Sequence, residues 1–183
     1  MAEPTPDIAG PAALDVGEGR LRSFDDVFRA DHRAIVALMW ALSGSRAVAE
    51  ELAQEAFLRA HLRWDRIGRY DNPGGWVRRV AINLATSQRR QRQAEERALG
   101  RTGVAPDAAD RSAEVEAADR FWASVRELPE RQQAVVVLHY LEDRSVADIA
   151  AVLDIAEGTV KAHLHKARAA LASRLSLDPE EDR

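Results

Sequence analysis

With 183 residues and 46% hydrophobic content, the chain can bury one ordinary core or two small ones, which excludes disorder throughout. It has no cysteine, so a disulfide framework, a thiolate metal site and a thiol nucleophile are excluded as well. The formal net charge of -4 would argue against a nucleic-acid partner, but it averages over segments of opposite sign.

Met1 to Glu18 holds Glu3, Asp7, Asp15 and Glu18 with no Lys or Arg, and residues 1–20 are expected to form a disordered acidic tail. The tail lacks a basic n-region, and no apolar run in the chain approaches the ~20 residues that cross a bilayer. A cytoplasmic protein without direct membrane insertion is therefore expected. From Ser23 onward the apolar residues recur at helical spacing and nowhere alternate as a strand would, so the fold class is all-α. Phe24, Val27, Phe28, Ile35, Leu38, Met39 and Leu42 predict a first helix, capped by Ser23 and ending near Ser43-Gly44. Ala49, Leu52, Ala53, Ala56, Phe57, Ala60 and Trp64 predict a second, from about Ser45 to Trp64. Asn-Pro and Gly-Gly in "IGRYDNPGG" break the pattern, and a third helix is expected from about Trp76 with Trp76, Val77, Val80, Ala81 and Leu84 inside. Trp64 and Trp76 read as core residues rather than stacking platforms, because both fall on apolar faces.

Two faces of these helices are left for partners. On the second helix, Glu51, Gln54, Glu55, Leu58 and Leu62 mix acids with outward leucines, which reads as a docking patch or as packing on a neighbouring helix. On the third, Arg79, Asn83, Thr86 and Arg90 make a polar stripe, with Arg78 and Arg89 on a neighbouring strip around Ile82. No acid occurs between Asp71 and Glu95, whereas a merely solvated face would interleave them. Arginines there can hold phosphates while Asn83 and Thr86 address bases or sugars.

Beyond the third helix the sequence loses apolar periodicity around Gly100, Gly103 and Pro106, which predicts a flexible linker over 96–113 between a domain at 21–95 and another at 114–176, with a short tail at 177–183. The second domain is expected to hold helices at about Glu114 to Leu128, one opened by Pro129, Ser145 to Leu153, and Glu157 to about Leu175. The last two, joined by Asp154-Ile155-Ala156, form a helix-turn-helix. On the last helix Val160, Leu164, Ala167, Leu171 and Leu175 point inward, leaving Lys161, Ala162, His165, Lys166 and Ala169 outward with His163 and Arg168 on the flanks. Alanines at the centre of that face allow close approach to a groove ~12 Å wide, and the basic and imidazole groups around them suit phosphates and base edges. His163 and His165 diverge by about 200° on a helix and lack a carboxylate cluster, so no metal site and no cofactor is expected.

Three stretches, "AVAEELAQEAFLRAHLRW", "GGWVRRVAINLATSQRRQR" and "LPERQQAVVVLHYLEDRSVADIAAVLDIAEGTVKAHLHKARAAL", resemble the extracytoplasmic-function (ECF) group of bacterial RNA polymerase sigma factors, in the family's order. The resemblance implies a factor, not an enzyme, that binds core RNA polymerase and directs transcription initiation at promoter DNA. It implies polymerase docking through Glu51, Gln54, Glu55 and Leu58. It implies reading of the minus 10 element through Arg78, Arg79, Asn83, Thr86, Arg89 and Arg90, with Tyr70, Asp71 and Asn72 as candidates for holding a flipped base. The minus 35 element would be read through Thr159, Lys161, Ala162, His163, His165, Lys166 and Arg168, and an anti-sigma factor is the implied restraining partner. The chain departs from the family at Ser87, where Asp is frequent, at Glu50-Glu51, commonly Glu-Asp, and at Ala162 and His163, often Ser or Arg. A dimeric helix-turn-helix regulator is the alternative; it explains the second half but not the docking face of the first. Two readers on elements about one and a half DNA turns apart must sit roughly 50 Å from each other. The flexible stretch from Gln93 to Ala113, 21 residues, averages only ~25 Å, so the polymerase is expected to hold the two apart.

Overall fold

The computed structural model describes residues 22–99 and 113–175, with side chains over 22–98 and 118–175. The expected N-terminal tail, most of the expected linker and the C-terminal tail lie outside the described residues. Among the described residues the fold is all-helical, with α1 (Phe24–Ser43), α2 (Arg46–His61), α3 (Trp64–Ile67), α4 (Pro73–Leu99), α5 (Ala113–Arg126), α6 (Glu130–Tyr140), α7 (Val146–Leu153) and α8 (Glu157–Leu175).

The first four helices form one bundle. α1 stops at Gly44, whose φ of 72° is the left-handed C-cap that glycine adopts without a Cβ penalty, and Ser45 accepts from the Val48 amide to start α2. Ser23 occupies the N-cap position of α1, but its side chain makes no capping bond there. α1, α2 and α4 bury Ile35, Leu38, Met39, Phe57 and Val77 between them. Each such side chain contributes about 1.5 to 3 kcal/mol. The expected second helix is shorter than its apolar pattern: it ends at His61, and Trp64 opens the four-residue α3, donating its indole N–H to the Arg22 carbonyl at 2.7 Å.

α4 begins three residues before the expected Trp76. Pro73 sits at its first position, where no amide is required, and the Asn72 side chain accepts from the Gly75 amide at 2.7 Å. The Asn-Pro pair is thus a helix start, and both glycines lie inside the first turn. Gly74 leaves room for Asp31: a Cβ there would collide with the Asp31 carboxylate, which would have to shift.

In the second half, α8 packs on α5, α6 and α7 around Val135, Leu138, Ile149, Val160 and Leu164. Gln133 is buried and donates to the Leu128 carbonyl at 2.7 Å as well as to that of Arg126, satisfying the end of α5. Ser145 accepts from the Asp148 amide and donates to its carboxylate, the expected capping start of α7. Pro129 lies one position earlier than expected, preceding α6 rather than occupying its first turn.

The two halves rest directly on each other. α1 packs on α5 and α6, α4 packs on α7, and the buried residues of both halves form one continuous cluster. Ile82, expected between arginines on an outward strip, is 4% exposed and lines a cleft with Leu42 of α1 and Glu130, Gln133 and Ala134 of α6. α7 packs on both α4 and α8 and helices in contact lie about 8 to 10 Å apart, so in this arrangement one helix stands between the two expected DNA readers instead of a separation of ~50 Å.

Candidate nucleic-acid interface

The geometry of α4 comes from its two long faces. Trp76, Val77, Val80 and Ala81 anchor one in the first bundle, and Ile82 anchors an adjacent one against the second half. Arginines flanking Ile82 are therefore held at the seam between the halves, and each meets a carboxylate across it. Arg78 donates through Nε to both oxygens of Glu142, at 2.9 and 2.7 Å, and through Nη2 to Asp31 at 2.9 Å. Burial works against its charge, but the hydrogen bonds and negative charges of Asp31 and Glu142 outweigh that, and Arg78 is held protonated more firmly than usual. Arg78 had been expected on a phosphate-holding strip; its side chain is only 4% exposed and fully engaged, so it is a structural ion-pair residue in this arrangement.

Arg79, whose charged form is disfavoured by burial and by Arg131, is met by Asp154 at 3.0 Å. At the other end of the seam, Glu130 takes Arg90 through Nε at 3.0 Å and Arg89 through Nη2 at 3.2 Å. The Arg90 hydrogen bond, aided by Arg89, holds the Glu130 carboxyl below the usual carboxylate range. Asn83 is exposed, and Thr86 is half-buried in a cleft lined also by Arg89, Glu130 and Gln133. Of the loop candidates, Asp71 is exposed and Asn72 caps α4, but Tyr70 is 6% exposed with its ring in the core and has no free face for a base.

α8 presents a different picture. Thr159, Lys161, Ala162, His165, Lys166 and Arg168 are all exposed, the expected outward face. Arg168 donates to the Tyr140 hydroxyl at 2.7 Å. His163 is half-buried. Its Nδ1 is shielded and finds no hydrogen-bond partner among the described residues, and burial, with Lys166 and Arg131 nearby, lowers its proton affinity. On α2, Glu51 and Gln54 are exposed and Glu55 pairs with Arg59 at 2.7 Å. Leu58 is 50% and Leu62 74% exposed, so the leucines do not pack on a neighbouring helix.

The acids of the seam, Glu130, Glu142 and Asp154, were not legible as site residues. The one sequence signal was Ile82, an apolar residue set between Arg78 and Arg89.

Profiles of known families match both halves: Sigma-70 region 2 over residues 27–95 and Sigma-70 region 4 over 118–171. The ECF RNA polymerase sigma factor SigM of Mycobacterium tuberculosis is 36% identical over 154 residues, covering 84% of this chain and 77% of its own. The chain belongs to the ECF group of RNA polymerase sigma factors. SigW of Bacillus subtilis is 27% identical, covering 87% of this chain and 92% of its own. The fold of this sigma factor is shared with Bartonella quintana RpoE, solved in complex with the anti-sigma factor NepR, at a TM-score of 0.67 and 24% identity over 85% of this chain and 98% of that one. CnrH, solved with the cytosolic domain of CnrY, gives 0.63 at 21% identity over 89% and 94%. Promoter-directed transcription initiation is the function of this sigma factor, and none of these relatives supports a dimeric regulator. No helix among the described residues is long and apolar enough to cross a membrane.

Proposed function

We propose that the two units, 21–95 and 114–176 joined by 96–113, divide promoter recognition between them. In the first unit, Arg79, Asn83, Thr86, Arg89 and Arg90 of α4 contact the minus 10 element, with Asp71 and Asn72 beside them. In the second, Thr159, Lys161, Ala162, His163, His165, Lys166 and Arg168 contact the minus 35 element. Core RNA polymerase docks on Glu51, Gln54, Glu55, Leu58 and Leu62 of α2 in the cytoplasm, and an anti-sigma factor competes for the free chain. The structure of Bartonella quintana RpoE in complex with the anti-sigma factor NepR supports that last partner.

The observation that carries this reading is the outward pair Leu58 and Leu62 beside Glu51 and Gln54, an apolar stripe with a polar rim of the kind that interfaces use. A DNA-binding dimer has no need of it. The test is in vitro transcription from a genomic library with purified core enzyme, comparing the native chain with Leu58→Asp. The native chain is expected to direct specific transcripts, and Leu58→Asp to lose core binding while keeping its helical circular dichroism. Full core binding by Leu58→Asp would overturn the docking face.

A further inference from the structure

We propose that Tyr140, the last residue of α6, is a positioning residue for the upstream promoter element: its hydroxyl, with the His139 ring beside it, holds the Arg168 guanidinium at the edge of α8 ready for a DNA phosphate. The inference rests on α8 being the upstream reader, as proposed above.

At 100° per residue, Ala162 and Ala169 mark the centre of the outward face of α8, and Arg168 falls on its flank. A helix seated in the major groove turns its centre to the base edges and its flanks to the two backbones, so a cation at that place suits a phosphate. An exposed arginine on a helix flank ordinarily samples many rotamers, and fixing one of them at the moment of binding costs affinity. Here the side chain is held beforehand. Arg168 donates through Nε to the Tyr140 hydroxyl at 2.7 Å and through Nη2 to Nε2 of His139 at 3.4 Å, and its guanidinium carbon lies 5.8 Å from the centre of the tyrosine ring.

Both partners are fixed in turn by the way α6 ends. Asp143 takes a left-handed conformation, φ 50°, after which the Arg144 amide donates back to the Leu138 carbonyl at 3.1 Å. The same turn brings the Arg144 carbonyl 3.1 Å from Nδ1 of His139. Arginine can only donate, so Nε2 of His139 is the acceptor and the ring keeps its proton on Nδ1, where it is donated to Arg144. The imidazole is therefore neutral, and it packs edge-on against Tyr140 with ring centres 4.8 Å apart. Among the described residues no carboxylate pairs with Arg168, so its charge is fixed in place but not neutralised. Arg78 is the contrast, with two carboxylates on its fork.

The test is a fluorescence titration of the holoenzyme against the upstream-element duplex of a promoter that it transcribes, over a series of salt concentrations. Arg168→Ala should weaken binding and reduce the slope of log affinity against log salt by about 1, the loss of one phosphate contact. Tyr140→Phe keeps the ring and removes only the hydroxyl. It should bind about threefold to tenfold more weakly, the factor that goes with ordering one long side chain at binding, and keep the native slope because the phosphate contact still forms. In the Arg168→Ala background the same substitution should have no further effect, a coupling that a merely structural tyrosine would not show. Arg168→Lys, which keeps the charge but not the fork, should keep the slope and bind as weakly as Tyr140→Phe. Native affinity in Tyr140→Phe would overturn the positioning role, and so would a loss of equal size with and without Arg168. Native affinity and slope in Arg168→Ala would overturn the phosphate contact and the role of Tyr140 with it. Lys166→Ala in the same titration then distinguishes failure of this edge alone, where its slope still falls, from failure of α8 as the upstream reader, where it does not.

Discussion

Arg78 and Glu142, 64 residues apart in sequence, form an ion pair at 2.7 Å in which the side chains are only 4% and 5% exposed. A pair so placed has exchanged water for a partner, and its worth is seen most clearly by removing one member. Loss of one half of a buried pair costs about 3 to 5 kcal/mol, because the other charge is left uncompensated. Arg78→Ala should therefore lower the unfolding free energy by that amount and shift the urea midpoint down accordingly, whereas Arg90→Ala, at the exposed end of the seam, should leave the midpoint nearly unchanged. Equal midpoints for the two variants would contradict the burial assigned to Arg78.

Gly74 makes room for the second partner of Arg78. A methyl group there meets the Asp31 carboxylate, so Gly74→Ala should destabilise despite the better helix propensity of alanine. In an Asp31→Ala background the collision vanishes, and the same substitution should become neutral or stabilising. A double-mutant cycle by chemical denaturation checks this, and strict additivity of the two changes would refute it.

Lys166 lies on the outward face of α8. Lys166→Ala in the holoenzyme should weaken binding to upstream-element DNA and reduce the slope of log affinity against log salt by about 1, the signature of one lost phosphate contact. The measurement is a fluorescence titration over a series of salt concentrations. An unaltered slope would remove Lys166 from the interface.

The two titrating groups act in separate pH windows. His163 binds its proton less readily in the fold than outside it, first because it is buried and then because Lys166 and Arg131 repel the charge. The unfolded chain therefore takes up the proton first, and stability should fall as pH drops below about 6.5, the unperturbed histidine range. Glu130 is the opposite case: its carboxyl is held low by Arg90, so its contribution is present at neutral pH and is lost only below the ordinary carboxylate range. Urea unfolding near pH 7.5 and near pH 5.5, bracketing the histidine range, should show a loss that His163→Gln diminishes. The same loss in both proteins would exclude His163 as its source.

The extent of each helix was legible where a local signal sufficed. Gly44 and Ser45 mark the α1–α2 corner by their own backbone and side-chain chemistry, and the Ser145–Asp148 pair marks the start of α7. Asn72-Pro73 shows the limit of that approach: the same dipeptide reads as a break or as a cap and first turn, and only the path of the chain decides between them. Tyr70 was a candidate for holding a base by its place in the loop before α4, but packing turned its ring into the core.

By itself, then, the sequence determined the helices, the acid-free arginine run of α4, the outward face of α8 and the leucine stripe of α2, because each is a pattern within one helix that the backbone period makes readable. What only the tertiary structure decided is where those faces go. Ile82 and the arginines beside it meet Glu130, Glu142 and Asp154, which lie 40 or more residues away in sequence. The physical reason is that helical periodicity assigns a side chain to a face, whereas the partner of that face is chosen by the joint burial of apolar surface and charge across the whole chain.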